Sequence, residues 1–250
     1  MTLFRIWAVV RKELRDYRRN RFTITTTAVM PIVFLVAPLV TLLRIPTSLS
    51  STAVQKEVGA TSLLLLVVPA VIPPIIAAYS VIGERDQGTL EPLLTTPVRR
   101  EELLLGKAAA AFAPAVTVAY AIYFVFLVVI HFGATAAVSS AVLQGPQVTA
   151  QVLFTPLIAL WAIWVGIAMS VRARDVRVAQ QLATLGSLPA VGFIALISFQ
   201  VITPTVALAV GLALALLVVD IVAWRVVSRM FDRERLITGS RVRHPDRALH

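Results

Sequence analysis

Few residues of this chain are suited to covalent chemistry. The sequence contains no cysteine, which excludes thiolate nucleophiles and thiolate metal sites. A serine hydrolase needs a serine beside a histidine. His131 is the histidine that lies in an apolar region, and no nucleophile motif surrounds the serines of the other apolar regions, Ser170, Ser187 and Ser198. The sequence therefore gives little support to an intramembrane serine protease, which we rank third among the functions considered.

The sequence also lacks the phosphate-binding loop that ATP hydrolysis requires. That loop has the pattern GxxxxGK[ST], in which glycine amides surround the phosphates and the hydroxyl binds magnesium. Here Gly106-Lys107 is followed by Ala108, and Glu101 stands where the first glycine should be. We therefore expect no enzymatic activity from this chain.

Three side chains in apolar regions are candidates for binding a substrate. Asp220 is the formal charge inside a predicted membrane span, where such residues are often functional. Its position near the cytoplasmic end of the span, close to Arg225, favours a structural role in which it reaches the membrane surface or pairs with an arginine. Trp161 and Trp164 could line a cavity for an apolar or aromatic molecule, or simply pack against helices or lipid. His131 is interpreted as a polar residue at the membrane surface.

The amino-acid composition indicates the class of protein to which these residues belong. Hydrophobic residues make up 58% of the chain, charged residues 14%, and the mean hydropathy is +0.85. A soluble domain of 250 residues cannot bury that much apolar surface. The net charge of +10 comes from basic residues between and beside the apolar runs, which favours contact with membrane lipids and argues against a nucleic-acid partner.

Six apolar stretches predict six transmembrane helices. Each has roughly 19 to 24 residues, enough at ~1.5 Å per residue to span a hydrocarbon core of ~30 Å. Backbone groups in lipid must bond internally, so helices are the expected structure. The predicted fold is an all-α integral membrane protein with a transmembrane domain over 23–224. Its spans are 23–43, 59–82, 108–130, 152–171, 179–202 and 205–223.

Residues 1–22 are predicted to form an amphipathic helix on the membrane surface. They carry seven basic and two acidic side chains, too many charges for entry into hydrocarbon. At ~100° per residue one narrow arc is apolar. It contains Leu3, Trp7, Val10, Leu14 and Tyr17. The alternative is a basic tail that only sets the membrane orientation.

The distribution of lysine and arginine predicts the orientation. Of the 23 basic residues, 21 lie in residues 1–22, the connections 83–107 and 172–178, and the basic tail 225–250. All four segments fall on one side of the membrane if there are six spans. The positive-inside rule places this side, with both termini, in the cytoplasm. A multi-pass protein of the bacterial plasma (inner) membrane is expected.

Small residues at four-residue spacing lie on one face of the third span and of the sixth. Such faces allow close helix approach. The residues are Ala109, Ala113, Thr117 and Ala121, and Ala207, Gly211 and Ala215. We expect these faces to pack within the chain, with a second subunit as the alternative.

The connection 83–107, GERDQGTLEPLLTTPVRREELLLGK, is a charged segment between the second and third spans. Gly83 can end the second helix, and Thr89 can cap a short helix with Glu91 in its first turn. Pro97 suits the first turn of a further helix. The segment is therefore predicted to display a short charged helix in the cytoplasm, where a soluble partner can hold it.

This segment resembles the permease subunits of type-2 ATP-binding cassette (ABC) transporters, most of which are exporters. The matching residues are Gly83-Glu84-Arg85, Gly88-Thr89-Leu90-Glu91, Leu93-Leu94, Thr96-Pro97-Val98, Arg100, Glu101 or Glu102, and Leu105-Gly106-Lys107. Asp86 and Arg99 depart from the family pattern, which commonly has glutamate and serine at these positions. The stretch from Arg11 to Phe22 is similar to the interfacial elbow helix of the family.

The resemblance implies that the segment contains a coupling helix that docks on a separate ABC ATPase. The implied ATPase-coupling residues are Glu84, Arg85, Gly88, Thr89, Leu90, Glu91 and Pro97. A second cytoplasmic contact is implied for Arg172, Arg174 and Asp175. No cofactor is expected in this chain, because ATP and magnesium would bind to the ATPase subunits. The resemblance also implies a second copy or a related permease, and export by alternating access.

An ion-coupled secondary transporter is the alternative function. Such transporters place several ionisable groups near the membrane midplane and often contain inverted repeats. This sequence offers Asp220 and no recognisable repeat. These features favour the ATP-driven permease.

Overall fold

The computed structural model describes residues 3–19, 21–86, 88, 99–173, 175–198 and 205–230, and its regular elements over these ranges are helices. The prediction of an all-α chain is confirmed for them. The α-helices are α1 (Leu3–Arg19), α2 (Arg21–Leu43), α3 (Ser51–Leu63), α4 (Val67–Asp86), α5 (Arg100–Gly133), α6 (Ala136–Val142), α7 (Gly145–Arg172), α8 (Val176–Ser198) and α9 (Val206–Met230).

Among the residues that the structure describes, five helical segments are long and apolar enough to cross a membrane. They are Ser51–Glu84, Arg100–Gly133, Gln147–Arg172, Val176–Leu196 and Ala207–Met230. A shorter apolar stretch, Thr27–Leu43, lies within α2, where the first span was predicted. The chain is therefore a multi-pass membrane protein with five candidate spans and one shorter apolar helix, and the count of six stays a prediction.

The helix that leads into the second predicted span begins earlier than expected. Ser50 caps α3. Val54 and Val58, which lie one helical turn apart, are buried. Lys56 and Glu57 lie on the exposed side of the same helix. The helix therefore begins eight residues before the predicted start of the span at residue 59, and it carries these charges on its outer face.

The second predicted span is divided by a 3₁₀ turn, Leu64–Leu66, between α3 and α4. Pro69 has no amide hydrogen to donate to the Leu65 carbonyl, and its ring would clash with that carbonyl in a continuous α-helix. A tighter turn avoids this conflict. The span consequently stays one helical segment, Ser51–Glu84, that tightens over this turn.

Helices α5 and α6 extend the structure beyond the predicted spans. α5 runs from Arg100 to Gly133, although only 108–130 was predicted to span the membrane. The short helix α6 was not predicted at all. Its buried side, with Val138 and Val142, packs with Val54 and Val58 of α3. At the other end of the chain, α9 continues into the predicted basic tail, as far as Met230.

Helix α4 lies at the centre of the bundle, where it packs against α7 and α8, while α9 packs on α7. The approach to α7 is closest at Gly166. A Cβ atom there would lie 2.7 Å from the Ala77 Cβ atom and 2.9 Å from the Pro74 carbonyl oxygen. The absence of a side chain thus lets the two backbones meet.

The small-residue faces of α5 and α9 do not pack within the chain. All seven residues named for these faces are exposed. On α5 the buried face instead contains Ala111, Ala115 and Ala119, and Ala108 and Ala110 are buried as well. The expectation of internal packing was wrong because an alanine-rich helix repeats the same spacing on neighbouring faces, so spacing alone cannot choose between them.

Candidate functional site: a buried charge cluster

Four charged side chains meet where α1, α4 and α5 come together. The Lys107 Nζ atom lies 2.8 Å from Glu13 Oε1 and 2.9 Å from Glu84 Oε2. The Lys12 Nζ atom lies 3.3 Å from Glu13 Oε1 and also contacts Glu84 Oε1. Each lysine therefore contacts both glutamates. We refer to Lys12, Glu13, Glu84 and Lys107 as the charge cluster.

Most of the charge cluster is shielded from solvent. Lys107 is 0% exposed, and Glu13 and Glu84 are also buried. The Lys12 side chain retains 39% exposure. Lys107 additionally donates a hydrogen bond of 2.7 Å to the Ser80 carbonyl oxygen. Its ammonium group therefore has two hydrogen-bond acceptors, Glu13 Oε1 and the Ser80 carbonyl oxygen, and an ion pair with Glu84, which together offset the cost of burying the cation.

The charge cluster connects parts of the chain that are far apart in sequence. Glu84 lies near the end of α4 and Lys107 lies two turns into α5, so the pair encloses the predicted coupling segment at both ends. Lys12 and Glu13 come from α1. The amphipathic helix and both ends of the segment are thus joined at one point.

Gly106 allows α1 to come close enough for this arrangement. A Cβ atom at this position would lie 2.6 Å from the Val9 Cβ atom and 3.3 Å from the Ile6 carbonyl oxygen. Any side chain would therefore separate α1 from α5. Because Lys107 is the next residue, this contact also sets the distance between Lys107 and Glu13.

A second ion pair joins α1 to the first turn of α5. The buried Glu102 carboxylate accepts a hydrogen bond of 3.0 Å from the Arg99 backbone N–H, which caps the helix. Arg5 Nη1 lies 3.7 Å from the same carboxylate. α1 is therefore held on α5 at two places, about two helical turns apart on α1.

Ser170 anchors the end of α4 that carries Glu84. Its hydroxyl oxygen accepts hydrogen bonds from the backbone N–H groups of Val81, at 3.0 Å, and Ile82, at 3.2 Å. Ser170 is fully buried on α7. This serine, considered above as a nucleophile, thus joins two helices.

The cluster shifts the titration of groups on α1. Burial by itself raises the pKa of Glu13, but Lys107 and then Lys12 outweigh it and hold that pKa below its ordinary value of 4.5. Burial by itself lowers the pKa of Lys12, but Glu13 and Glu84 raise it above 10.5. Burial, followed by the charges of Glu13 and Glu84, raises the pKa of Tyr17 well above 10.0. Lys12 and Glu13 therefore both stay charged near neutral pH.

Of the predicted coupling residues, Glu84 is buried and Gly88 is exposed. Glu84 is buried among lysines, which favours a positioning role over direct contact with an ATPase. Gly88 is exposed with φ of +67°, a left-handed conformation that favours glycine. The Arg85 side chain, Thr89, Leu90, Glu91 and Pro97 lie outside the described residues, so their contacts stay predictions.

The connection between α7 and α8 has a local structural role. The Asp175 carboxylate accepts a hydrogen bond of 2.9 Å from the Val178 backbone N–H, as an N-cap of α8. Arg172 is exposed at the end of α7, and Arg174 lies outside the described residues. The second cytoplasmic contact predicted here stays a prediction.

The two tryptophan candidates occupy different surroundings. Trp164 is buried and packs edge-to-face on Trp224, with ring centroids 5.3 Å apart. Trp161 instead lines a cavity of about 360 Å³ between α7, α8 and α9, together with apolar side chains such as Phe154 and Leu212. Of the two, Trp161 is the one placed to contact a bound molecule.

Asp220 is buried rather than paired with Arg225. It is 5% exposed, and within the described ranges neither carboxylate oxygen has a hydrogen-bond partner and no ion pair involves it. The structure shows no pair with Arg225, which was one of the two structural roles expected for Asp220, because five residues correspond to roughly 140° around a helix and the two side chains point to different sides. Arg225 is exposed.

The sequence did contain one signal for the charge cluster. Glu13 lies three residues after Val10 and four before Tyr17, which places a carboxylate on the predicted apolar side of α1. Val9, Val10, Glu13 and Tyr17 form the buried side. Leu3 and Trp7 of the predicted arc are 85% and 63% exposed, so the buried face is rotated from the predicted one.

Two known proteins are similar to part of this chain. It is 34% identical over 111 residues to the Probable ABC transporter permease protein NosY of Pseudomonas aeruginosa, covering 41% of this chain and 37% of the relative. It is 26% identical over 144 residues to the protein of the same name from Stutzerimonas stutzeri, covering 57% and 48%. Less than half of each relative is spanned. The family described as "ABC-2 family transporter protein" matches residues 7–184, which include the whole charge cluster, and the chain therefore belongs to this family.

Proposed function

We propose that this chain is the permease subunit of an ABC exporter, which moves a substrate across the plasma membrane while a separate ATPase subunit hydrolyses ATP. The observation that carries the proposal is the family match over residues 7–184, which contains the coupling segment and the residues that fix its two ends. The relatives named as permeases support it.

The coupling segment is the part that contacts the ATPase in this proposal. Its exposed turn at Gly88 and the charged sequence around Glu91 suit a soluble partner. Arg85, Gly88, Thr89, Leu90, Glu91 and Pro97 make that contact, and Glu84 holds the segment from inside. ATP and magnesium bind to the ATPase, because this sequence has no P-loop pattern.

The membrane arrangement has six spans, with α2 as the first, and both termini in the cytoplasm. The asymmetry of lysine and arginine supports this orientation. The charge cluster then lies at the cytoplasmic surface, where the predicted second span ends and the third begins.

One chain supplies half of the transport pathway, and a second copy or a related permease completes it. The exposed small-residue faces of α5 and α9 support close approach by another helix. Closure of two ATPase subunits moves the coupling segments, and the bundle changes from inward to outward access. Trp161 contacts the transported molecule from its apolar cavity.

Affinity purification from the native membrane tests this proposal. A tagged chain is expected to bring a P-loop ATPase with it. Purification without any ATPase would contradict the proposal and favour the ion-coupled alternative.

Glu91→Lys tests the contact itself. We expect normal folding of the permease but weaker co-purification of the ATPase or loss of ATP-driven transport, because a carboxylate is replaced by the opposite charge. Glu57→Lys is the matched control, since Glu57 is exposed on α3, away from the segment. Full ATPase binding together with full transport by Glu91→Lys would contradict this role.

A further inference from the structure

We propose that the charge cluster is a joint that makes the cytoplasmic ends of α1, α4 and α5 move as one body when the ATPase displaces the coupling segment, with Lys107 as its positioning residue. This inference rests on the proposed function. It concerns the transmission of movement within the chain, which docking on an ATPase does not by itself explain.

The position of the cluster in the chain is the first argument. Glu84 precedes the segment and Lys107 follows it, so displacement of the segment acts on α4 and α5 through these residues. Their ion pair of 2.9 Å opposes separation of the two ends. Lys12 and Glu13 extend the connection to α1, which has no covalent link to the segment except through α2, α3 and α4.

The alternation of charge is the second argument. Each of the four charges contacts at least two opposite charges, and the charges of these four side chains sum to zero. Lys12 also lies 3.6 Å from Asp16 Oδ2. Rotation or sliding of one helix would leave a buried charge without its partners, which is strongly unfavourable. The three helices are therefore expected to keep their relative positions while they move.

Contacts around the cluster are the third argument. Gly106 brings the α1 backbone against α5, and Ser170 fixes the end of α4 to α7. Movement of the segment thus has a continuous path of short contacts into the bundle. α9 packs mainly on α7, and its described residues supply no charge to the cluster, although its Val227 lies in the same apolar core as Val9 and Val10. Movement of the joint is therefore measured relative to α9.

The variants must separate transmission from folding. Lys107→Met alone leaves two buried carboxylates with one lysine and is expected to assemble poorly. Adding Glu84→Gln makes the cluster neutral again, with the Lys12–Glu13 pair intact. This double variant should recover assembly but lose the bridge between the two ends of the segment.

The matched control is Arg5→Met combined with Glu102→Gln. It also removes one positive and one negative charge from a contact between α1 and α5, but it leaves the charge cluster untouched. Because the glutamine can still accept from the Arg99 amide, the helix cap is retained. The control is expected to behave like the parent protein.

Distances between spin labels measure the movement in the purified complex with its ATPase. The chain has no cysteine, so labels attach only at introduced cysteines. One pair, Arg15→Cys and Glu101→Cys, lies at exposed positions within the joint. The other, Glu101→Cys and Arg229→Cys, relates α5 to α9. Distances are compared without nucleotide and after trapping with Mg-ATP and vanadate.

In the parent protein, trapping should shift the distance between α5 and α9 and leave the distance between α1 and α5 unchanged. In Lys107→Met/Glu84→Gln, the distance between α1 and α5 should shift or broaden on trapping, although ATPase binding and assembly are normal. A role in folding alone would instead make this assembled variant behave like the parent.

Three results would overturn the joint. They are equal shifts of both distances in the parent, no shift of either, and parent-like distances in the double variant. A parent chain that binds no ATPase would contradict the proposed function, and with it this inference. A normal complex with any of the three results would contradict the joint alone.

Discussion

Buried acids occur in two regions of this molecule with opposite surroundings. Glu13 and Glu84 each contact two lysines, whereas the Asp220 carboxylate has no hydrogen-bond partner among the residues that the structure describes. Burial of a charge costs several kcal/mol unless opposite charges and hydrogen bonds offset it. The charge cluster therefore stabilises the arrangement of three helices. The Asp220 carboxylate makes no such interaction with the described residues. Substitutions in the two regions should have very different effects.

Lys107→Met should have the largest effect. It leaves Glu13 and Glu84 buried with Lys12 as their common partner, and removal of one member of a buried pair typically costs about 3–5 kcal/mol. Thermal unfolding of the purified protein in detergent should show a large decrease in Tm. Lys56→Met, at an exposed position of α3, is the control and should change little. Equal Tm values for Lys107→Met and Lys56→Met would show that the charge cluster does not stabilise the fold.

Gly106→Ala should have the next largest effect. The added methyl group meets Val9 at 2.6 Å, and such overpacking costs about 1–3 kcal/mol. Gly59→Ala is the matched control, because nothing lies within 4 Å of its Cβ position. In that helix alanine should stabilise by about 0.5–1 kcal/mol. Unfolding midpoints that move in the same direction would show that α1 does not depend on this close contact.

The pH dependence of stability should reveal the paired acids. Since the pKa of Glu13 is lowered, its contribution is present above 4.5 and is lost as the pH falls through the lowered value. Since the pKa of Lys12 is raised, its contribution is present below 10.5 and is lost only at still higher pH. Tm should therefore be level across the neutral range and fall in acid.

The charge-neutral variant Lys107→Met/Glu13→Gln should lose part of this acid dependence, because the titrating carboxylate is gone. Measurement of Tm against pH for both proteins checks the expectation. An identical fall in acid for parent and variant would assign the acid sensitivity to other carboxylates.

Asp220→Asn should have the smallest effect. The side chain keeps its shape, and no ion pair or hydrogen bond seen in the described structure is lost. We expect a change in unfolding free energy below about 1 kcal/mol, at the low end for point substitutions. Expression level and Tm test this, with Glu84→Gln as the paired-acid comparison. Loss of transport at normal expression would instead give Asp220 a role in the pathway.

Local properties of the sequence were sufficient to predict an all-α, multi-pass membrane protein, but not the short helix α6 or the early start of α3. Apolar length predicted the long spans, and the charge and turn residues of the coupling segment led to the family. The packing faces were not predictable in this way. Periodicity could not distinguish the exposed Ala109 and Ala113 from the buried Ala111 and Ala115, because both sets suit a close helix contact.

The charge cluster shows why the rest was missed. Lys107 and Glu13 are 94 positions apart, and nothing local in either segment identifies the other as its partner. Lys107 was recognised only as part of a motif, and Glu13 only as an acid in a basic helix. Their pairing depends on the tertiary contact at Gly106, which the spacing of residues along the sequence cannot predict.

The cluster also constrains the biosynthesis of the protein. α1 and α4 leave the ribosome before α5, so Glu13 and Glu84 are made well before Lys107. Until then Lys12 is the one cluster lysine available to both acids. α1 can adopt its final position on the bundle only after the chain has been synthesised past Lys107. The first helix to be made is consequently fixed in place only after the beginning of α5 has been made.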